Sequence, residues 1–439
     1  MERCDQEGSF SVPGGYRLKK KLEGQQLDKI FSRIPHRLSV TMLLVIAGLV
    51  RLGYWLRVGQ PIYAGDSQGY ILWAKLLAQG NTSGFEQFPL HQLYSLVLTP
   101  IYSLGIPEGE YIKYLHIFAS TATVGLMYLA GRLLVSPGYG LLVGALTALY
   151  PKFIFWLPYV LTETGFLFCL SMFLAIFIAF LKRPNLWRFL AYLGMSILLF
   201  FSRPVSLPIL LISTTILGAL FLARHWGLRK MMIICASFWF SLVTTVCIAF
   251  ATNTELQTRI LKLPTFTQSL WLSTKLSSNS MEETLSVLKD EQQRVENLVK
   301  GLPPGTEWTY KATEATRFIT RHPLAYLGMA ARRFISFWYP WIFSDSWSLA
   351  HRIFDACVSL LLSMGTVALL FHRNSRTPEI ISLTLMALSL AILTSFSQID
   401  TDGRYRLPAE LILLLISPIS GVRLIERLLI SSRRKPSPA

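Results

Sequence analysis

Charged residues and paired cysteines are both scarce in this chain of 439 residues. Only 15% of the residues are charged, whereas 52% are hydrophobic, and this balance excludes a soluble protein of this length. The five cysteines have no paired spacing, so neither a disulfide framework nor a zinc site is indicated. A glycine-rich phosphate loop is also absent, which argues against a nucleotide-binding domain. The composition therefore indicates a polytopic membrane protein.

Long apolar runs are what the sequence contains in quantity. A helix needs roughly 20 apolar residues to cross ~30 Å of hydrocarbon. Besides the ten transmembrane runs named in the next sentence, two other stretches, 90–105 and 324–343, contain Pro and His or Arg. They suit helices that lie at the membrane interface. The sequence thus predicts an all-α fold with about ten transmembrane helices, at residues 38–57, 112–134, 139–156, 159–181, 187–202, 204–223, 229–251, 351–371, 378–397 and 407–425.

The basic residues follow a sided pattern along the chain. Lys and Arg are concentrated in both tails and in alternate short loops, as is typical of segments that stay cytoplasmic. Both termini are therefore predicted to be cytoplasmic, and the formal charge of +17 largely reflects this sidedness. Because the basic residues are dispersed over loops, no nucleic-acid partner is predicted.

Two long outer segments define the predicted domain organisation. The first outer loop, 58–111, contains an amphipathic stretch over 68–79. The second, 252–350, contains a capping box at Ser280 and Glu283 and predicts a small extracytoplasmic helical cap plus an interfacial helix. The chain then divides into a cytoplasmic basic tail (1–37), a membrane module (38–251), the large outer loop (252–350), C-terminal spans (351–425) and a second cytoplasmic tail (426–439).

Two carboxylates stand at the predicted outer face. Asp66 follows the first span between glycines, where it suits either a general base or the N-cap of the next helix. Glu163 lies in an apolar stretch where the outer loop turns into the fourth span. A charge at that depth costs ~2 kcal/mol or more unless it is paired or hydrated, so a functional or paired role is favoured over a helix-dipole contact.

Three arginines occupy the same predicted face, against the usual sorting of positive charge. Arg203 suits either a bidentate phosphate contact or a snorkelling position at the interface. Arg404 and Arg406 form the densest cationic patch there, which indicates phosphate binding or pairing with Asp400 or Asp402.

Two further polar residues admit less specific interpretations. His91 could contact a sugar or donate a proton, or it could be a structural histidine at the interface. Arg51 lies within the first span and is expected to snorkel outward to the membrane surface.

These residues sit in motifs that occur in a characteristic order. The motifs are the Gly65-Asp66 loop with GYILWAKLLAQG, and then FPLHQLYSLVLTPIYSLG, YPKFIFWLPYVLTETGFLF, FFSRPVSLPILL, HPLAYLGMAARRFISFW and DGRYRLPAELILLL. In this order the chain resembles the GT-C membrane glycosyltransferases, in particular the branch of dolichyl-phosphate-mannose protein mannosyltransferases and the aminoarabinose transferase of lipid A.

The resemblance implies inverting transfer of a sugar from a polyprenyl-phosphate donor to a hydroxyl of a lipid, glycan or protein acceptor. By position it makes Asp66 the general base and Glu163 the second acid, which would contact the acceptor or a metal. A divalent cation, Mg²⁺ or Mn²⁺, is a possible cofactor, although Ser67 stands where many relatives have another acid. The resemblance further implies donor-phosphate binding by Arg203, Arg404 and Arg406. Separately from the resemblance, His91, Tyr405 and Asp402 are candidates for contacts with the sugar or the acceptor.

Other classes and locations stay open at this point. A transporter or flippase would place ionisable residues near the bilayer midplane rather than at one rim. A polysaccharide polymerase or ligase would use a lipid-linked oligosaccharide. A bacterial inner membrane with an extracytoplasmic active site fits best, although Asn81-Thr82-Ser83 would be a glycosylation sequon in the endoplasmic reticulum.

Overall fold

A computed structural model describes residues 35–64, 66–81, 92–226, 264–275, 281–302, 306–338, 349–371, 377–397 and 404–422. These residues are predominantly helical, and no strand is found among them. The helices are α1 (His36–Val58), α2 (Ser67–Ala78), α3 (Gln92–Ser103), α4 (Glu108–Leu134), α5 (Pro137–Leu149), α6 (Pro151–Phe155), α7 (Glu163–Lys182), α8 (Leu186–Ser202), α9 (Leu207–Trp226), α10 (Pro264–Lys275), α11 (Met281–Val299), α12 (Thr306–Arg321), α13 (Pro323–Trp338), α14 (Leu349–Phe371), α15 (Pro378–Ser397) and α16 (Leu407–Ile416).

Four of these helices are long and apolar enough to cross a membrane, which supports the assignment as a membrane protein. They are α1, α4, α7 and α15 over Pro378–Phe396. Several other helices, including α5 and α8, are apolar but have 17 residues or fewer. The predicted span at 229–251 lies outside the described residues.

The run predicted to form one span over 139–156 is divided in two. Helix α5 ends at Leu149, Tyr150 is extended, and Pro151 begins the five-residue helix α6. Proline has no backbone N–H and disfavours a helical residue before it, so the break is encoded at Pro151.

Arg51 does not snorkel, contrary to the sequence expectation. Its side chain is fully buried in α1. Its Nη1 donates to the carbonyl oxygens of Ala47 and Ala148, both at 3.1 Å, and Ala148 lies in the last turn of α5. The guanidinium therefore donates to a carbonyl in the last turn of α5, where carbonyl groups have no partner within the helix.

Helices α4 and α5 pack at unusually close range. A methyl group added at Gly140 would lie 2.6 Å from the carbonyl oxygen of Tyr128, which is shorter than any tolerated contact. Gly144, one turn later, faces Tyr128 and the side chain of Leu43 at similar range. Small residues spaced four apart allow such backbone contact between apolar helices.

Helices α10, α11 and α12 form a separate small cluster. Trp271, Val295 and Ala315, one from each helix, make its apolar centre. Glu314 on α12 receives hydrogen bonds from Trp271 Nε1 at 2.7 Å and Lys275 Nζ at 2.9 Å, so α12 is fixed to α10 by polar contacts as well.

The loop after α1 is held against the loop before α7. Ile62 N donates to Pro158 O at 2.9 Å, and Val160 N donates to Ile62 O at 3.0 Å, forming an isolated parallel bridge. Glu108, the first residue of α4, also contacts this loop, because it accepts a hydrogen bond from Tyr63 at 2.6 Å. These contacts bring the segment of Asp66 next to the segment of Glu163.

Candidate active site

Four separate segments bring charged side chains together near the N-terminal end of α7. Asp66 precedes α2, and Glu163 is the first residue of α7. Arg203 follows the last residue of α8, and the turn at 404–406 precedes α16. Each of these side chains therefore lies where a helix begins or ends.

Arg203 and Glu163 form a buried ion pair. Arg203 Nη1 donates to Glu163 Oε1 at 3.0 Å, and the side chains are 7% and 3% exposed. The second oxygen of Glu163, Oε2, is buried and accepts no hydrogen bond from the described residues. The pair explains how two charges are tolerated in an apolar setting, and it fixes the guanidinium of Arg203 in one orientation.

Tyr405 lies close to two guanidinium groups. The Cζ atom of Arg203 is 5.4 Å from the centre of the Tyr405 ring, and that of Arg404 is 5.2 Å from it. Both distances are within the range of cation–π attraction. The aromatic ring is thus a shared neighbour of the two cations.

Asp66 is the exposed acid of the site. Its Oδ2 lies 4.0 Å from Nη1 of Arg404, and its side chain is 65% exposed, against 22% for Arg404. Asp66 occupies the N-cap position of α2, as the alternative interpretation predicts, but its side chain makes no capping hydrogen bond. Ser67 bonds the turn instead, with its Oγ accepting from Ala64 N and donating to Ala64 O.

Tyr70 is a site residue that the sequence did not single out. It is buried on the first turn of α2, and burial raises the pKa of its phenol. The nearby carboxylates of Asp66 and Glu163 raise this pKa further, whereas Arg203 lowers it. The Tyr70 hydroxyl therefore stays protonated and lies within the fields of both acids.

A buried tyrosine, Tyr94, contacts Tyr70, and a buried histidine, His116, contacts Tyr94 in turn. The rings of Tyr70 and Tyr94 meet edge to face, 5.4 Å apart. Tyr94 and His116 share a hydrogen bond of 2.9 Å, and His116 Nδ1 lies 2.8 Å from Leu157 O. A carbonyl accepts only, so His116 Nδ1 carries the proton and Nε2 accepts from Tyr94.

Arg406 belongs to a different cluster from Arg404. Its Nε is 2.6 Å from Glu410 Oε1, and its Nη1 donates to Phe337 O at 3.2 Å. Lys152 Nζ donates to the same Glu410 oxygen at 2.7 Å. All three charged side chains are buried, so the two arginines that the sequence grouped together face different surroundings. The i, i+4 spacing of Arg406 and Glu410 is the signal that could have predicted this pair.

Two of the predicted contact residues, His91 and Asp402, lie outside the described residues. Within the described part of the chain, no group of three or more His, Cys, Asp and Glu side chains is arranged to hold a metal ion. No protein-family model matches the chain, and no curated protein matches it by sequence.

Proposed function

We propose that this chain is an inverting membrane glycosyltransferase of the GT-C type. It moves a sugar from a polyprenyl-phosphate donor to an acceptor hydroxyl at the extracytoplasmic face of the membrane. About ten helices cross the bilayer, both termini are cytoplasmic, and α10–α12 form a cap over the outer surface. The proposal rests on the motifs described above and on the charges that gather at the start of α7.

The difference between the two acids is the observation that carries the proposal. Asp66 is 65% exposed, and Arg404 lies 4.0 Å from it, so its carboxylate is accessible to an incoming hydroxyl. Glu163 is 3% exposed and bound to Arg203. One acid is therefore placed to exchange a proton with a substrate, while the other orients a cation.

The proposed reaction is a single displacement. The acceptor hydroxyl transfers its proton to the Asp66 carboxylate as its oxygen bonds to the anomeric carbon of the donor sugar. The bond from that carbon to the phosphate oxygen breaks, and its electron pair stays on the polyprenyl phosphate. A single inline attack inverts the anomeric configuration.

Arg404 and Arg203 stabilise the phosphate as its negative charge develops. Both guanidinium groups lie within 5.4 Å of the centre of the Tyr405 ring, and that of Arg404 is 4.0 Å from Asp66. Preorganised cations of this kind lower the barrier most when they are held in place before the reaction. The Glu163 pair and the Tyr405 ring supply that rigidity.

The proposal is tested in cells that lack the protein. Mass spectrometry of their lipid extract should show one polyprenyl-phosphate monosaccharide accumulating, while one surface glycan loses a sugar. Wild-type protein should restore both, and the Asp66→Asn variant at equal membrane abundance should restore neither. Accumulation of a lipid-linked oligosaccharide would favour a polymerase or ligase instead, and saturable flux of the lipid-linked sugar without product would favour a flippase.

A further inference from the structure

The buried face of α13 carries an arginine that the proposed reaction does not use. Tyr326, Ala330, Arg333 and Phe337 are buried, whereas Arg332 is exposed. Their spacing of three or four residues places the four buried residues on one side of the helix. Arg333 is only 5% exposed, so its guanidinium needs partners within the protein.

Arg333 binds the ends of two other helices. Its Nε donates to Ser395 O at 2.7 Å, in the last turn of α15. Its Nη1 donates to Ser273 O at 2.8 Å, in the last turn of α10. Carbonyl groups in the last turn of a helix have no partner within the helix, and they form its negative end. The buried cation is therefore stabilised by the ends of both helices.

Tyr326 adds a second hydrogen bond to the end of α15. Its hydroxyl donates to Phe396 O, and Phe396 follows Ser395 directly. The Cζ atom of Arg333 lies 5.6 Å from the centre of the Tyr326 ring, within the range of cation–π attraction. Two neighbouring side chains of α13 thus bind consecutive carbonyl groups of α15.

Helix α13 also binds the other end of the segment that contains Arg404 and Tyr405. Phe337 O, in the last turn of α13, accepts a hydrogen bond from Arg406 Nη1 at 3.2 Å. Residues 396 and 406 are therefore both attached to α13. Arg404 and Tyr405 lie in the chain between these two points. A chain fixed at both ends has fewer conformations, so the attachments restrict where the guanidinium of Arg404 can lie.

We propose that Arg333 is a positioning residue for the phosphate-binding cation Arg404. This role rests on the proposed function, and Arg333 acts through Arg404 rather than on the substrate. It fixes the end of α15 and thereby the start of the segment that contains Arg404. Its hydrogen bond to Ser273 also joins this segment to the cluster of α10–α12.

Two variants and a matched control test the role. Arg333→Lys keeps the positive charge but carries its donors on one nitrogen, so it cannot reproduce the bonds from Nε and Nη1 to two carbonyl groups. Tyr326→Phe removes only the hydroxyl that donates to Phe396 O, and it decides the matter if Arg333→Lys fails to fold. Arg332→Lys is the control, because Arg332 is exposed on the same helix.

Hydrogen exchange followed by mass spectrometry measures the attachment in the purified full-length protein without any substrate. The reporters are the amides in the last turn of α15 and the amide of Leu407, which donates to Arg404 O at 3.4 Å. Exchange at both should become roughly fivefold faster in Arg333→Lys, less so in Tyr326→Phe, and should not change in Arg332→Lys. Unchanged exchange in Tyr326→Phe and in any folded Arg333→Lys protein would overturn the role.

Steady-state kinetics in proteoliposomes test whether Arg333 acts through Arg404. Arg333→Lys should raise the donor KM roughly tenfold in the wild-type background but less than about twofold in Arg404→Gln, where the cation that it positions is absent. An equal increase in both backgrounds would show a structural effect only and would overturn the role. Absence of transfer by the wild-type protein would overturn the proposed function instead, whereas the exchange rates test the attachment to α13 in either case.

Discussion

Arg203 donates a hydrogen bond of 3.0 Å to Glu163, and the two side chains are almost completely buried. They are 40 residues apart in the sequence and stand at the junctions of different helices. The pair connects the end of α8 to the start of α7, directly beside the Tyr405 ring. Its integrity therefore bears on both the stability of the fold and the placement of the cation in the site.

Breaking this pair should destabilise the protein strongly. Glu163→Gln leaves a buried guanidinium without its counter-charge, and we expect a loss of about 3–5 kcal/mol in the free energy of unfolding. Unfolding in detergent, followed by circular dichroism, measures the loss. Replacing both residues, as Glu163→Gln with Arg203→Met, should recover part of it.

The matched control for this prediction is Glu110→Gln. Glu110 pairs with Lys113 at 2.6 Å, but its side chain is 55% exposed, so the change should have little effect on stability. Equal effects of the two substitutions would show that burial of the Glu163 pair has no energetic weight.

The two neighbouring arginines should give different phenotypes. Arg404→Gln should raise the KM for the lipid-phosphate donor roughly 10- to 100-fold, the value of a charge-assisted hydrogen bond, and should leave stability nearly unchanged. Arg406→Gln should lower stability instead, since it leaves the buried carboxylate of Glu410 with one cation fewer.

Steady-state kinetics with proteoliposomes and unfolding in detergent separate the two effects. Arg317→Gln, an exposed arginine on α12, is the control for both measurements. A donor KM that does not change in Arg404→Gln would remove Arg404 from the proposed phosphate site.

Glu410, Lys152 and Arg406 should behave as one electrostatic unit. Glu410→Gln leaves two buried cations around a neutral side chain, so it should destabilise the protein more than Lys152→Met does. The double variant removes one of those cations, and we expect a favourable coupling energy of about 0.5–3 kcal/mol in a double-mutant cycle. Strictly additive effects would mean that the shared oxygen of Glu410 does not couple the two cations.

The small helical cluster of α10–α12 should lose stability in acid. Burial alone would raise the pKa of Glu314, but hydrogen bonds from Trp271, Lys275 and Arg294 outweigh it and lower this pKa to about 2. The unfolded value is about 4.3, so the stabilisation is complete above that pH and is lost as pH falls towards 2.

The difference in unfolding free energy between wild type and Glu314→Gln measures this effect. Because Glu314 is partly exposed and screened by solvent, we expect a difference of about 1 kcal/mol at pH 6 that shrinks progressively below pH 4. A difference that stays constant from pH 6 to pH 2.5 would contradict the assigned hydrogen bonds.

Local signals in the sequence predicted much of the secondary structure. The amphipathic pattern at 68–79 corresponds to α2, and α11 follows the capping box at Ser280 and Glu283. The break at Pro151 is equally local, whereas the apolar run across it predicts one span. That prediction follows from hydrophobicity alone. In the structure the helix ends before Pro151, because proline has no backbone N–H to continue it.

Side-chain partners were predictable only where they are close in sequence. Arg404 and Arg406 are two residues apart, but the turn before α16 sends one towards Asp66 and the other towards Glu410. Arg51 was expected to snorkel because its acceptors are remote: Ser120 and Ala148 are 69 and 97 residues away. Tyr70 had no polar signal of its own, since an aromatic residue on an amphipathic helix is typical of a buried face.

Transfer by the Asp66→Asn protein in reconstituted proteoliposomes tests the proposed mechanism most directly. The donor is the lipid fraction that accumulates in cells without the protein, and product is measured by mass spectrometry at equal amounts of folded enzyme. We expect the rate to fall by about 10²–10⁴, because general base catalysis is removed, while Tm stays within about 1 °C of wild type. Transfer at the wild-type rate by Asp66→Asn would contradict its role as the base, and with it the proposed site.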